Sequence, residues 1–435
     1  MAEHHSGDTS RSRENLSEPP RSDLLPVEAF EGTIRAAWVF TGDRLERGGA
    51  IRIVGGRVAE VLECATGDEV DLDFPDGLVH PGLVNAHCHL DLTNLAGRVP
   101  AGNSFVDWLG RVRATRLDSD DDSLVAASRA GLAELTASGV TAVIDFSHAS
   151  ASLEAFTDRP IRGLLLRELL GFTEARARPA LREAQTWLAA RQDLGQLGFG
   201  LAPHAPYSAS GDLIRSAKAL CGTTRPVSIH VAEDPAESTF LKDGSGPYRE
   251  FLLSLGLSLD EYTPSGRSPI GYLDWLGALD EQTLLIHANT VDGDDIERIR
   301  RSGAAVVFCP GTHAFFGRPQ HRLPELLEAG VPVGLGTDSS ASNSELSVAS
   351  EMRAVRRSFP ERRYPRLSSA VIWGLGTGVW LRRFLPAVGR LEAGDRADVA
   401  VARVGEREGR PLERFLEDDG VENLLTLCGG HRYIE

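Results

Sequence analysis

Lysine is nearly missing from this chain: among 435 residues there are two, Lys218 and Lys242. Basic charge as a whole is short, with 46 Lys and Arg against 62 Asp and Glu and a formal charge of -16. No basic stripe exists to neutralise phosphates, which argues against a nucleic-acid partner. Cysteine is scarce too. Cys64, Cys88, Cys221, Cys309 and Cys428 are scattered, odd in number and free of CxxC spacing. That pattern fits a reducing, cytoplasmic compartment, with neither a disulfide framework nor a thiolate zinc cluster. No apolar run approaches the roughly 20 residues that cross a bilayer, so no membrane partner is expected. Residues 1–26 are rich in Ser, Arg, Glu, Asp and Pro and lack the apolar core of a signal peptide. They read as a disordered tail, and His4 and His5 within it are not candidate ligands.

The remaining composition is that of a globular protein, 42% hydrophobic and 25% charged, long enough for more than one structural unit. Ile34–Phe40, Ala50–Val54, a Gly55-Gly56 turn and Arg57–Val61 alternate as a hairpin does. The same texture returns at Val399–Ala402 and Leu424–Ile434. Two β-rich ends predict a small β-sandwich domain built from residues 27–79 and 386–435. The middle, 80–385, alternates strands with helices. A short apolar run, Gly77 to Asn85, suits a buried parallel strand leading to His87. Seven more follow at Thr141–Asp145, Ile161–Leu166, Gly198–Ala202, Pro226–His230, Thr283–His287, Ala304–Phe308 and Val331–Gly336. Helical stretches intervene, among them Ser123–Ser138, Ala175–Leu194, Asp294–Ser302 and Leu323–Ala329. Eight such units predict an α/β fold of the (β/α)8 TIM-type barrel, with its active site at the strand C-termini.

Chemistry-bearing residues gather where these strands end. His87 and His89 leave one face of a strand, because its side chains repeat every two residues. The Gly198 strand runs into His204, the next ends at His230 with Glu233 just beyond, then come His287 and Asn289, and the last leads to Asp338. Five histidines, a Glu and an Asp at equivalent places in five strands indicate one shared, metal-dependent site. Asn289 could orient a neighbouring side chain or simply turn the loop. His204 could contact a substrate or cap the helix that follows. His80 precedes the first strand and reads as structural, and Cys88, facing away from its neighbours, as a packed thiol.

The ordered motifs PGLVNAHCHL, LAPHAPYS, IHVAE, LLIHANTVD, FCP and GLGTDSSASN resemble the amidohydrolase superfamily. The similarity is to its branch of cytosine deaminases, S-adenosylhomocysteine-type deaminases and triazine hydrolases. The resemblance implies His87, His89, His230 and Asp338 as metal ligands, and Glu233, His287 and Asp338 as catalytic residues, with Glu233 as proton shuttle. It implies one divalent ion, zinc first, with iron or manganese as alternatives, and a bound water whose pKa falls towards about 7. Binuclear relatives bridge two ions with a carboxylated lysine at a strand end. Here Lys218 sits in a helix-like stretch and Lys242 in a loop, which supports a single ion.

Substrate contacts are expected from His204, Arg98, Trp108, His313 and Phe316, with Arg318 as a further candidate for a carboxylate or phosphate. Phe315 and Phe316 could instead seal the barrel top. The chain has Gly-Thr-His after Cys309-Pro310 where many relatives have Ser-Asn, and no carboxylate follows Trp108 before Asp118. The expectation is a small-molecule hydrolase, foremost a deaminase of an amino-substituted purine, pyrimidine or nucleoside. The alternative is hydrolysis of an amide, cyclic amide or halogenated ring. Pairing into a homodimer is an open expectation, since barrels of this size often pair.

Overall fold

A computed structural model describes residues 27–63, 70–102, 104–117, 119–148, 151–157, 159–191, 196–405 and 409–433. The tail read over residues 1–26 lies outside them, as do Cys64, Asp118 and Ile434.

Eight parallel strands form the barrel in chain order: Leu83–Cys88, Val140–Ser147, Arg162–Leu169, Leu197–Pro203, Val227–Val231, Thr283–His287, Ala305–Phe308 and Val333–Leu335. A parallel bridge between Cys88 and Asp338 closes the ring, and Asp338 N–H donates to the His87 carbonyl at 3.0 Å. Strand alternation explains the core. Val84, Ala86, Ala142, Ile144, Leu164, Leu166, Leu284 and Ile286 fill the barrel interior. The residues alternating with them along the strands, such as Leu165, Ile229, Leu285 and Val306, belong to a second cluster with helix residues such as Leu135, Leu213 and Ile299.

The chain ends form a nine-stranded mixed sheet. Strand Leu72–Pro81 lies at its centre, parallel to Gly32–Phe40 and antiparallel to Val399–Arg403. The Gly55-Gly56 turn meets the Gly429-Gly430 turn so closely that a Cβ on Gly430 would lie 2.7 Å from the Gly56 Cα. The sheet therefore curls over its own core of Ile34, Ile51, Ile53, Val399 and Leu427.

The run from Gly77 to Asn85, read as one strand, is two. The chain leaves the terminal sheet at Pro81 and enters the barrel at Leu83. Gly82 is the corner: any Cβ there would lie 2.0 Å from Thr141 Oγ1, so only glycine lets the backbone pass.

His80, on the central strand of the terminal sheet, is sealed between the rings of Trp373 and Phe415, at 5.0 and 5.7 Å. Its Nδ1 donates to the Pro81 carbonyl at 2.8 Å. Burial lowers its pKa from 6.5 to about 4. The unfolded chain therefore binds a proton below pH 6.5 that the folded chain refuses until about pH 4. Stability is full above that window and falls as the pH drops through it. We expect urea midpoints to decline from pH 6.5 towards 4, less steeply in a His80→Phe variant. Equal slopes in the two proteins would contradict the assignment.

Candidate active site

The barrel brings six of the expected residues to one point. The Nε2 atoms of His89 and His87 lie 3.4 and 3.3 Å from His230 Nε2. Asp338 Oδ1 is 3.6 Å from His87 Nε2 and 3.8 Å from His89 Nε2. His287 Nε2 lies 4.0 Å from Asp338 Oδ2 and 3.5 Å from Glu233 Oε1. All six side chains are buried.

Each is aimed by a local departure from regular strand. A register shift between Asn85 and Cys88 marks a bulge in the first strand. It brings His87 and His89 to the site and sends Cys88 into the helix-facing core. His287 and Asp338 adopt φ of 72° and 56°, left-handed values that β-carbon-bearing residues rarely take. Gly336 lets the last strand press on the first, since a Cβ there would sit 2.8 Å from the His87 carbonyl oxygen.

The ring nitrogens decide what this cluster can hold. His230 Nδ1 contacts the His204 carbonyl at 3.0 Å, so Nδ1 carries the proton and Nε2 presents a bare lone pair. Burial pushes the His87 and His287 pKa values well below the usual range and that of His89 to about 3. Buried neutral imidazoles with converging nitrogens, beside a carboxylate, form a donor set that fits a divalent cation. Burial, reinforced by the nearby Asp338, pushes the Glu233 carboxyl well above its ordinary value, so it favours the protonated form.

This cluster floors a cavity of about 520 Å³ that also takes in Trp108, His204 and Glu233. His204 Nδ1 pairs with Ser208 Oγ at 2.6 Å, and burial lowers its pKa to about 4. Apolar side chains such as Phe105, Phe172, Phe251 and Leu257 supply much of the wall. Arg98, His313 and Phe316 are not among the residues that line it. Arg98 is exposed beside the Asn94 carbonyl, and His313 pairs with Asn289 Oδ1 at 3.1 Å. Phe316 packs edge-on against Trp108 at 5.0 Å, supporting the wall from behind. Arg318 is committed to Asp234 at 2.5 Å and is not a free anion site.

Two wall features escaped sequence reasoning. Glu168, at the end of the third strand, is buried in the cavity wall, with Oε2 3.3 Å from His148 Nδ1 and Oε1 4.0 Å from His204 Nε2. Burial alone would raise its pKa, but the His148 hydrogen bond and the His204 ring hold it well below the usual carboxylate range. Its signal was a carboxylate two residues beyond the predicted end of that strand. The second feature is Arg116, at the end of its helix. It pairs with fully buried Asp91 at 2.6 Å and pins the short helix Leu90–Leu95 beneath the helix Phe105–Arg116. Arg116→Ala leaves that carboxylate unpaired, and we expect a loss of about 3–5 kcal/mol in denaturant titrations. A change below about 1 kcal/mol would mean that the pair contributes as a surface bridge does.

Comparison with known proteins supplies the decisive observation: the Amidohydrolase family profile matches residues 78–404. The chain belongs to the amidohydrolase family. It is 31% identical to an aminodeoxyfutalosine deaminase of Deinococcus radiodurans, over 72% of this chain and 77% of that protein. It is 29% identical to a 5-methylthioadenosine/S-adenosylhomocysteine deaminase of Archaeoglobus fulgidus, over 81% of this chain and 80% of the relative. Among solved structures, it shares its fold with a zinc-bound adenosine deaminase of Xanthomonas campestris, with a TM-score of 0.79 and 21% identity. That match covers 94% of this chain and 93% of the other. Among the described residues of this amidohydrolase, no helix is long and apolar enough to cross a membrane.

Proposed function

We propose that this amidohydrolase is a hydrolytic deaminase of a purine nucleoside derivative, and that it uses one divalent ion, zinc foremost. The observation that carries this is the buried trihistidine and Asp338 cluster with a proton-holding Glu233 beside it, on the floor of a largely apolar cavity. The deaminase relatives support the same reading.

His87, His89, His230 and Asp338 would hold the ion, which when bound would lower the pKa of a water molecule towards neutrality. Glu233 lies within reach of His287. It gives its proton to the substrate ring nitrogen, takes one from the water that adds, and passes that proton to the departing amine, which leaves as ammonia. His287 and Asp338 stabilise the tetrahedral carbon that forms when water adds to the amine-bearing ring atom. His204 reads the ring edge, and Trp108 supplies a flat wall for it. The scattered, buried cysteines Cys88, Cys221, Cys309 and Cys428 suit a reducing cytoplasm.

Arg113 and Arg176 line the cavity, exposed and without an ion pair among the described residues. They favour a nucleoside whose tail ends in an anion. Arg176→Ala should raise KM roughly tenfold or more for a carboxylate-tailed nucleoside, one charged hydrogen bond's worth, and leave an uncharged analogue unaffected. Equal effects on both substrates would exclude that contact.

The test of the main reading is ammonia release by metal-replete protein, over adenosine, 5′-substituted adenosines, aminopyrimidines and aminotriazines. Release from 5′-substituted adenosines that stops with a chelator is the expected result. Chloride or carboxylate release without ammonia, or silence across the purines, would overturn it.

A further inference from the structure

Glu237 is fully buried yet absent from the cavity wall. It is the third residue of the helix Pro235–Asp243, after the N-cap Asp234. Its side chain turns back: Oε2 accepts the Glu233 N–H at 3.1 Å, and the Ala232 N–H bonds to the same carboxyl. Ala232 has φ of 53°, a left-handed conformation that costs an L-residue about 1–2 kcal/mol.

The neighbouring strand end holds this turn from the other side. Thr290 donates twice to the Ala232 carbonyl, from N at 2.9 Å and Oγ1 at 3.0 Å. Asn289 Nδ2 donates to the Glu233 carbonyl at 3.2 Å, while its Oδ1 is tied to His313. Both backbone polar groups of Glu233 are thus held by side chains. Among the described residues, only Ala387 of the left-handed non-glycine residues lies away from the site; Ala232, His287, Ala288 and Asp338 cluster within it. Strain of this kind persists only where the surroundings over-determine it.

We infer that Glu237 and Asn289 are positioning residues that hold the strained Ala232–Glu233 turn, so that the Glu233 carboxyl reaches the substrate. Neither touches the reacting atoms. The inference rests on the proposed role of Glu233. A purely helix-capping Glu237 would affect stability alone, whereas a positioning residue acts on kcat. Burial pushes the Glu237 carboxyl up to about 8, so at neutral pH glutamine is close to it in charge as well as in shape.

The experiment compares Glu237→Gln, Glu237→Leu, Asn289→Ala and Glu233→Gln as metal-loaded full-length proteins, reading kcat, KM, metal content and Tm. Glu237→Leu and Asn289→Ala should lower kcat by about 10- to 100-fold, as a misplacement of order 1 Å does, with KM within about twofold. Glu237→Gln keeps the accepting oxygen and should retain kcat within about threefold. Folded Glu237→Leu and Asn289→Ala proteins with unchanged kcat, beside an inactive Glu233→Gln, would overturn this inference alone. So would a Glu237→Gln variant as slow as Glu237→Leu. If Glu237→Leu fails to fold, Asn289→Ala decides on the same criterion. A Glu233→Gln protein that still turns over would overturn the functional reading, and this inference with it.

Discussion

Glu233→Gln should leave the protein folded and metal-loaded and lower kcat by about 10²- to 10⁴-fold, the usual contribution of a general acid–base group. The size of the effect follows from its surroundings. Glu233 is buried, with His287 Nε2 at 3.5 Å and Asp338 close enough to disfavour its charge. Among the described residues, the cavity wall holds one further carboxylate besides Asp338, and that group, Glu168, faces His204 and is held as an anion. Glutamine preserves shape and hydrogen bonding but cannot carry a proton. The measurement is kcat and KM for the best substrate, with metal content by atomic absorption. Unchanged KM with collapsed kcat would locate the loss in the transition state. A fall in metal content instead would make Glu233 a structural support for the cluster.

Stripping the ion should abolish turnover and lower Tm. The His87 and His89 Nε2 atoms lie 3.3 and 3.4 Å from that of His230, with a carboxylate oxygen at 3.6–3.8 Å from the first two. Lone pairs so arranged repel unless a cation or a proton lies between them, and the low pKa of His89 resists a proton. Binding to the folded chain stabilises it by about 2.7–4.1 kcal/mol at 100 to 1,000 times Kd. Chelation should remove that amount and re-addition of zinc restore it, as differential scanning fluorimetry would show. His230→Ala deletes the central nitrogen, so its Tm should no longer respond to zinc, while His204→Ala keeps the response. A His230→Ala protein still stabilised by zinc would place the ion elsewhere.

Much of this was legible in the sequence because barrel chemistry is tied to strand ends, and strands announce themselves. The Thr283–His287 strand has the predicted bounds. The spacing of His87 and His89 marked them as a pair, although the register shift between Asn85 and Cys88 that spans His87 was not visible. Side chains on long connections were harder. Arg98, His313 and Phe316 were placed in the pocket because they follow the right strands. Their directions were set by packing partners far off in sequence: Trp108 for Phe316 and Asn289 for His313. The role of Arg116 was hidden because its partner, Asp91, lies 25 residues earlier on a different element. Glu168 was overlooked because the strand was ended at Leu166 and continues to Leu169. No periodicity reports that a backbone turns left-handed at Ala232 or His287, so the clamp around Glu233 was invisible.

The chain passes from the centre of the terminal sheet into the first barrel strand, and that has a consequence for how the protein is made. Leu72–Pro81 leaves the ribosome early, but one of its two neighbours, Val399–Arg403, is synthesised only after the whole barrel. Pairing across such a separation is slow. Until it happens, Gly82 lacks its anchor to the Asp398 carbonyl, at 2.9 Å in the finished fold. A chain stalled before residue 399 holds all eight barrel strands, closed by the Cys88–Asp338 bridge, without that corner fixed. The terminal sheet is therefore completed last, and the entrance to the first barrel strand is secured only with it.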